Sequence, residues 1–370
     1  MTKGLYLHIP FCKSKCRYCS FNSFSGISFL QKEYTGAMID GIKKLNNDNI
    51  GSVYIGGGTP SFIDGECIVD IMNAVNDIFS MSENAEVTIE INPKTIDKEK
   101  LSLYRSAGIN RVSMGVQSMI DDELKILGRT HGVSDAVESY EMIRNAGFDN
   151  VSLDLMYALP NQTEGSLRES LERMIELNPE HISCYGLSID EGTPLFDDLK
   201  SGKIIVKDDE EYFNMYEIIR DTLGKNGYLH YELSNFYRPG FQAKHNTSYW
   251  KGMEYYAMGA GASGYIGDER FTYTESVEEF IKNPHIYTVE ETLTINDKIS
   301  EFVMLGLRML KDGVNKDEFK KRFDKDVYQI FEKEIKKHMA SGMIEDKGDR
   351  IVLTPKAYYV SNAVMADFIL

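Results

Sequence analysis

Along the first half of the chain, short apolar runs alternate with longer segments whose apolar residues recur every three or four positions. The runs at 4–8, 52–55, 86–91, 111–116, 150–156 and 181–189 read as buried strands, and the segments between them have helical spacing. Strand, helix and strand at this cadence predict parallel βα units. The helices carry their own punctuation. One starts at Asp97 and stops at Gly108. A second is expected to be capped by Ser134, with Ala136, Val137, Tyr140 and Ile143 on one face and Gly147 closing it. A third runs from Ser166 through Leu167, Leu171, Met174 and Ile175 to Asn178-Pro179, where proline cannot continue it. Six units are fewer than the eight that close a full barrel, so the expected fold is α/β, a partial (βα)6 TIM-like barrel left open.

After about residue 290 the pattern becomes helix-rich and charged. Helices are expected at 301–310, 316–323 and 327–339, followed by a hairpin pairing 343–345 with 350–353 across Gly348. Three helices and a wing make a small α+β, winged-helix-like module. The chain thus divides into 1–290 and 291–370, with no internal repeat and no low-complexity segment.

Charge and composition narrow the function. A net charge of −16 argues against a nucleic-acid partner, since binders of polyanions present a basic face. No stretch approaches the roughly 20 apolar residues of a membrane span, and the first residues lack a secretory pattern. A cytoplasmic protein with reduced thiols is expected. Five cysteines are an odd number and the chain is too long to need stapling, so a disulfide framework is disfavoured.

Three of those cysteines, Cys12, Cys16 and Cys19, stand at Cys-x3-Cys-x2-Cys directly after the first apolar run. Iron–sulfur cubes are usually held by four thiolates, so three with no fourth nearby suggest an iron left open for a ligand that is not protein. A zinc site would close with four Cys or His ligands; Cys67 and Cys184 are distant and are read as buried small hydrophobes, and His8 lies within the predicted strand. Gly56-Gly57-Gly58-Thr59-Pro60 follows the second strand, and three glycines in series expose backbone N–H and C=O groups to a ligand. Ligands of parallel α/β folds sit at the carboxyl ends of strands, where the cysteine loop, the glycines, Glu90, Asn92 and Gln117 all fall.

These motifs together resemble the radical S-adenosylmethionine (SAM) superfamily. Leu5-Tyr6-Leu7-His8-Ile9-Pro10-Phe11-Cys12, the glycine run, Glu90-Ile91-Asn92-Pro93, Arg111-Val112-Ser113-Met114-Gly115-Val116-Gln117-Ser118 and Asp154-Leu155-Met156-Tyr157-Ala158-Leu159-Pro160 resemble its branch related to oxygen-independent coproporphyrinogen III oxidase. Within that branch the chain looks like the HemW-type heme chaperones. Cys19 is followed by Ser20-Phe21, whereas the oxidases carry a further cysteine two positions after the third. Only eleven residues precede Cys12, and His245-Asn246-Thr247-Ser248-Tyr249-Trp250 matches a motif of that group.

The resemblance implies a [4Fe–4S] cluster on Cys12, Cys16 and Cys19, and SAM contacts at Tyr6, Gly57, Gly58, Thr59, Glu90, Gln117, Arg129 and Asp154. Carboxylates suit ammonium or ribose hydroxyls, and a guanidinium fork suits a carboxylate. It also implies heme as cargo, with His245 either an axial ligand or the organiser of a hydrogen-bonded loop. Two departures stand out: Ser263 where relatives usually have histidine, and Ser20 where aspartate is common. The function implied is a chaperone that binds heme and transfers it to apoproteins, membrane-protein recipients included. The alternatives are a coproporphyrinogen III oxidase, or another radical enzyme acting on a tetrapyrrole. Either enzyme would require a low-potential electron donor as partner.

Overall fold

The computed structural model describes residues 2–370. Six strands pair in parallel and in chain order: β1 (Lys3–Ile9), β2 (Asn49–Gly57), β3 (Ser80–Ile91), β4 (Arg111–Gln117), β5 (Val151–Tyr157) and β6 (His181–Gly186). The connections carry α1 (Gln31–Ile42), α2 (Gly65–Ile78), α3 (Lys98–Ser106), α4 (Asp121–Ile126) with α5 (Val133–Asn145), and α6 (Glu164–Glu176). Asp97 caps α3 through the Lys100 N–H, as its position suggests. The start of α5 differs from the expectation. Gly132 is its N-cap and Asp135 accepts from the Gly132 N–H at 2.7 Å, so Ser134 lies inside the helix, because the capping carboxylate sits three residues after the glycine.

The strands alternate strictly in what they bury. Val53 and Ile55, Ile89 and Ile91, Val112 and Met114, and Leu153 and Leu155 share one core with Ile68, Ile71, Leu101, Ile143, Leu167 and Leu171 of the helices. Each such side chain, fully removed from water, stabilises by roughly 1.5–3 kcal/mol. The intervening positions Tyr54, Glu90, Ser113, Asp154 and Ser183 face the other way, into a cavity.

The sheet does not close, and it is wider than six strands. After α7 (Pro194–Lys200) and α8 (Asp209–Lys225), β7 (Leu229–Glu232) pairs with β8 (Asn235–Tyr237), and β8 lies antiparallel to β6. From α9 (Lys244–Trp250) the chain returns to the opposite edge, where β9 (Tyr255–Met258) pairs in parallel with β1. β10 (Ser263–Ile266), β11 (Glu269–Tyr273) and, after α10 (Val277–Lys282), β12 (Tyr287–Thr292) continue outward in antiparallel order. The twelve-stranded order is β12-β11-β10-β9-β1-β2-β3-β4-β5-β6-β8-β7.

The remaining chain forms α11 (Ile295–Arg308), β13 (Val314–Asn315), α12 (Lys316–Phe323), α13 (Val327–Ala340), β14 (Ile344–Asp346), β15 (Arg350–Leu353) and α14 (Ser361–Ala366). α11 begins six residues before the expected 301, because Thr294 and Asp297 make a capping box. Phe302, Phe319, Phe323, Phe331 and Phe368 centre a second core distinct from that of the sheet.

Candidate functional site

The cysteine loop is built on the end of β1. Phe11–Cys12 pairs with Phe24–Ser25, and the Phe24 N–H donates to Pro10 O at 2.7 Å, which closes the intervening residues into a loop. Its far side is pinned. The Arg17 N–H donates to Leu127 O at 3.0 Å, the Leu195 N–H donates to Arg17 O at 2.9 Å, and the Arg17 guanidinium pairs with Asp198. Cys12 is buried, and Cys16 and Cys19 are half-buried.

The glycine turn docks directly on this loop. The Gly58 and Thr59 N–H groups donate to Ile9 O and Phe11 O at 2.8 and 2.9 Å. A Cβ on Gly58 would lie 2.9 Å from Phe11 O, so only glycine permits the approach. Thr59 Oγ1 stands 3.5 Å from Cys12 Sγ and accepts from Asn92 Nδ2 at 2.8 Å. Arg129 donates to Asn92 Oδ1 at 2.5 Å, to Gly115 O at 2.7 Å and to Cys16 Sγ at 3.4 Å. An unbroken chain of polar contacts thus joins two of the three cysteines. Contacts of this kind orient metal ligands and tune the group they hold.

Below the loop lies a cavity of about 380 Å³. Glu90 accepts from Tyr54 OH at 2.8 Å and from the Gly57 N–H at 3.1 Å, and burial holds its carboxyl up at about 7. Asp154 accepts from Ser113 Oγ at 3.3 Å, and burial raises it to about 6. Gln117 ends β4 in the left-handed region, φ +72°, at a shift of register against β5. Strained backbone of this kind tends to gather at functional sites.

Cys12, Cys16, Cys19, Gly57, Gly58, Thr59, Glu90, Gln117, Arg129 and Asp154 all line this one cavity. Two sequence-predicted residues do not. The Tyr6 hydroxyl bonds His8 Nδ1 at 2.9 Å and its ring stacks on Tyr54, so Tyr54 stands at the wall where Tyr6 was expected. His245 is 1% exposed, and both of its ring nitrogens are taken, by Ser52 Oγ at 2.9 Å and Tyr249 OH at 2.7 Å. Burial, with the nearby Arg111 charge, keeps this imidazole neutral, its pKa lowered to about 3. It braces α9 against β2 with no free nitrogen, so of the two roles expected for it the geometry favours the organiser of hydrogen bonds over the axial ligand. His8 is likewise engaged, through Tyr6 and Asn22 O, and Ser263 pairs with Thr272 away from the cavity. Cys67 and Cys184 are buried thiols, as expected.

Residues the sequence reading left out also line the wall: Tyr54, Arg111, Ser113, Ser183 and Tyr185. Their signal was the alternation of polar with aliphatic residues in strands that should be apolar on both faces. Among the described residues no three His, Cys, Asp or Glu side chains converge on one ion position. Three thiols lining one cavity, with no fourth Cys beside them, are a donor set that fits an iron–sulfur cluster with one iron left open.

Residues 6–174 match the radical SAM superfamily model, and residues 293–360 match the HemN C-terminal domain. The chain is 34% identical to heme chaperone HemW of Bacillus subtilis (strain 168), with 99% of each chain covered. It is 33% identical to heme chaperone HemW of Lactococcus lactis subsp. lactis (strain IL1403), with 99% of this chain and 97% of that one covered. It is also 34% identical to the Danio rerio protein named radical S-adenosyl methionine domain-containing protein 1, mitochondrial, over 83% of this chain and 72% of that one. Among solved structures it resembles coproporphyrinogen III oxidase (HemN) from Escherichia coli, with a TM-score of 0.85 covering 100% of this chain and 90% of that one. At 21% identity that likeness bears on the fold.

Proposed function

The chain belongs to the radical SAM superfamily and, within it, to the heme chaperone HemW family, and from that premise we propose a protein that binds heme and hands it to apoproteins. The observation that carries this reading is likeness to heme chaperones over the whole length of the chain, 34% identical with 99% of both chains covered. The site supports it. Cys12, Cys16 and Cys19 would hold a [4Fe–4S] cluster. Gly57, Gly58 and Thr59 would offer backbone and hydroxyl groups to SAM, Glu90 and Asp154 would accept from its hydroxyl or ammonium groups, and Arg129 and Gln117 would close the other side.

A bound cluster supplies the low-potential electron that radical chemistry on SAM requires, and a small redox protein is the proposed donor. The residues here do the positioning. Arg129 and Thr59 fix two cysteines, and the glycine turn admits the ligand against bare backbone. Phe21, at the position where the oxidases carry a further cysteine, is 67% exposed at the cavity mouth. That aromatic ring offers apolar contact to a flat ligand and no sulfur to iron.

Among the described residues no helix is long and apolar enough to cross a membrane. A cytoplasmic carrier serving soluble or membrane-bound recipients is proposed. The test is anaerobic reconstitution followed by heme titration. A saturable Soret change at one heme per chain is expected, and no binding above that of an unrelated protein of equal charge would overturn the reading.

A further inference from the structure

Arg111 opens β4 and lies inside the barrel, with 2% of its surface exposed. It lines the same cavity as the cysteines, yet no hydrogen-bond acceptor and no ion-pair partner for its guanidinium is found among the described residues, and its buried Nε is unpartnered. A buried guanidinium without partners is expensive, because an ion taken from water needs a counter-charge or a full set of hydrogen bonds.

The neighbours supply a counter-charge only at a distance, and no hydrogen bond. His181 on β6 and His245 on α9 stand close, and burial together with the Arg111 charge keeps both imidazoles neutral. Asp154 on β5 is the nearby carboxylate, near enough for the Arg111 charge to pull its pKa down against burial, but it makes no hydrogen bond or ion pair with the guanidinium and takes its hydrogen bond from Ser113. Arg111 therefore presents open N–H donors to the cavity. A guanidinium fork matches a carboxylate with two parallel hydrogen bonds.

The anion that fits is separate from any at the cluster. Arg111 starts β4 and Gly115, which accepts from Arg129, stands four residues along it; at ~3.3 Å per residue their backbones are about 13 Å apart. A carboxylate held at the cysteine loop lies toward the opposite end of the strand from one held by Arg111. We propose that Arg111 anchors a ligand carboxylate at the floor of the cavity, distinct from any carboxylate bound beside the cysteines. Two ligands of this protein's proposed chemistry carry one, the propionate arms of a tetrapyrrole and the amino-acid end of a SAM molecule. The inference rests on the cavity being a ligand site.

The experiment compares ligands with and without the carboxylate on the reconstituted full-length protein. Heme is titrated against iron protoporphyrin IX dimethyl ester, and SAM against decarboxylated SAM, with wild type, Arg111→Gln and Arg111→Lys. Loss of the carboxylate is expected to weaken one ligand pair by tenfold or more in wild type, with the difference abolished in Arg111→Gln and partly kept in Arg111→Lys. If the difference that Arg111→Gln abolishes is that of the heme pair, the anchor takes a propionate; if that of the SAM pair, an amino-acid carboxylate. A difference that persists unchanged in Arg111→Gln belongs to the cysteine-loop end of the cavity and overturns the anchor. Equal affinities within each pair on the wild-type protein, a result that needs no variant to fold, would overturn the anchor while leaving the site itself standing. Failure of wild type to bind either ligand would instead sink the site reading, and the anchor with it.

Discussion

Substituting Gly57→Ala tests how the glycine turn is held. Gly57 has φ +112°, a backbone region that alanine enters at a cost of ~1–3 kcal/mol. Its new Cβ would lie 2.5, 2.6 and 2.9 Å from the Cε1, Nδ1 and Nε2 atoms of His8. That ring has no room to yield, because it is 5% exposed and held by Tyr6 OH at 2.9 Å and Asn22 O at 2.8 Å. Moving it breaks two hydrogen bonds at ~1 kcal/mol each. The sum is a destabilisation of about 3–5 kcal/mol, read by urea unfolding of the apoprotein. Gly147→Ala is the control, since its φ is +84° and nothing lies within 4 Å of the added Cβ. Its effect is expected to stay near ~1–2 kcal/mol. Equal losses in the two variants would refute the role assigned to His8.

Asn92→Ala removes the bridge between Arg129 and Thr59; an unfolding free energy lower by about 2–3 kcal/mol is expected, and a change under ~0.5 would show the bridge to be idle. Burial raises the Glu90 carboxyl to about 7, above its unfolded range, so the unfolded state releases the proton first as pH rises. The stability of the apoprotein should therefore fall from about pH 4.5 to 7 and level off above, and Glu90→Gln should flatten that slope; a slope unchanged in the variant would assign it elsewhere. His245→Ala loses bonds to Ser52 and Tyr249 and should lower stability by about 2–4 kcal/mol with the heme Soret band unmoved. A shifted band in a variant that still unfolds cooperatively would restore the imidazole as a heme ligand.

Much of this site is written in local sequence. The cysteine spacing, the glycine run and the polar strand ends lie within short segments, and parallel pairing carries each of them to the same end of the sheet. What escaped depends on contacts between distant segments. β9 pairs with β1 from more than 240 residues away, and short Tyr- and Gly-containing strands such as β10 give no strong local signal. The two roles open to His245 could not be separated in sequence, because neither Ser52 nor the rotamer of Tyr249 can be read from its neighbours. Arg111 and Tyr54 were legible in principle. In Ser52-Val53-Tyr54-Ile55 and Arg111-Val112-Ser113-Met114 every second residue is polar, which in a doubly covered parallel strand marks the face turned to a cavity.

The central claim, a carrier of heme and not a maker of porphyrin, is tested most directly by one anaerobic reaction. The reconstituted protein, SAM and a low-potential reductant are divided between coproporphyrinogen III and heme plus a heme-requiring apoprotein, with product masses and the acceptor's spectrum followed together. The account predicts that heme appears in the acceptor faster than from free heme scavenged by albumin, and that the coproporphyrinogen mass stays unchanged. Successive losses of carbon dioxide from coproporphyrinogen, with no acceleration of heme delivery, would contradict it.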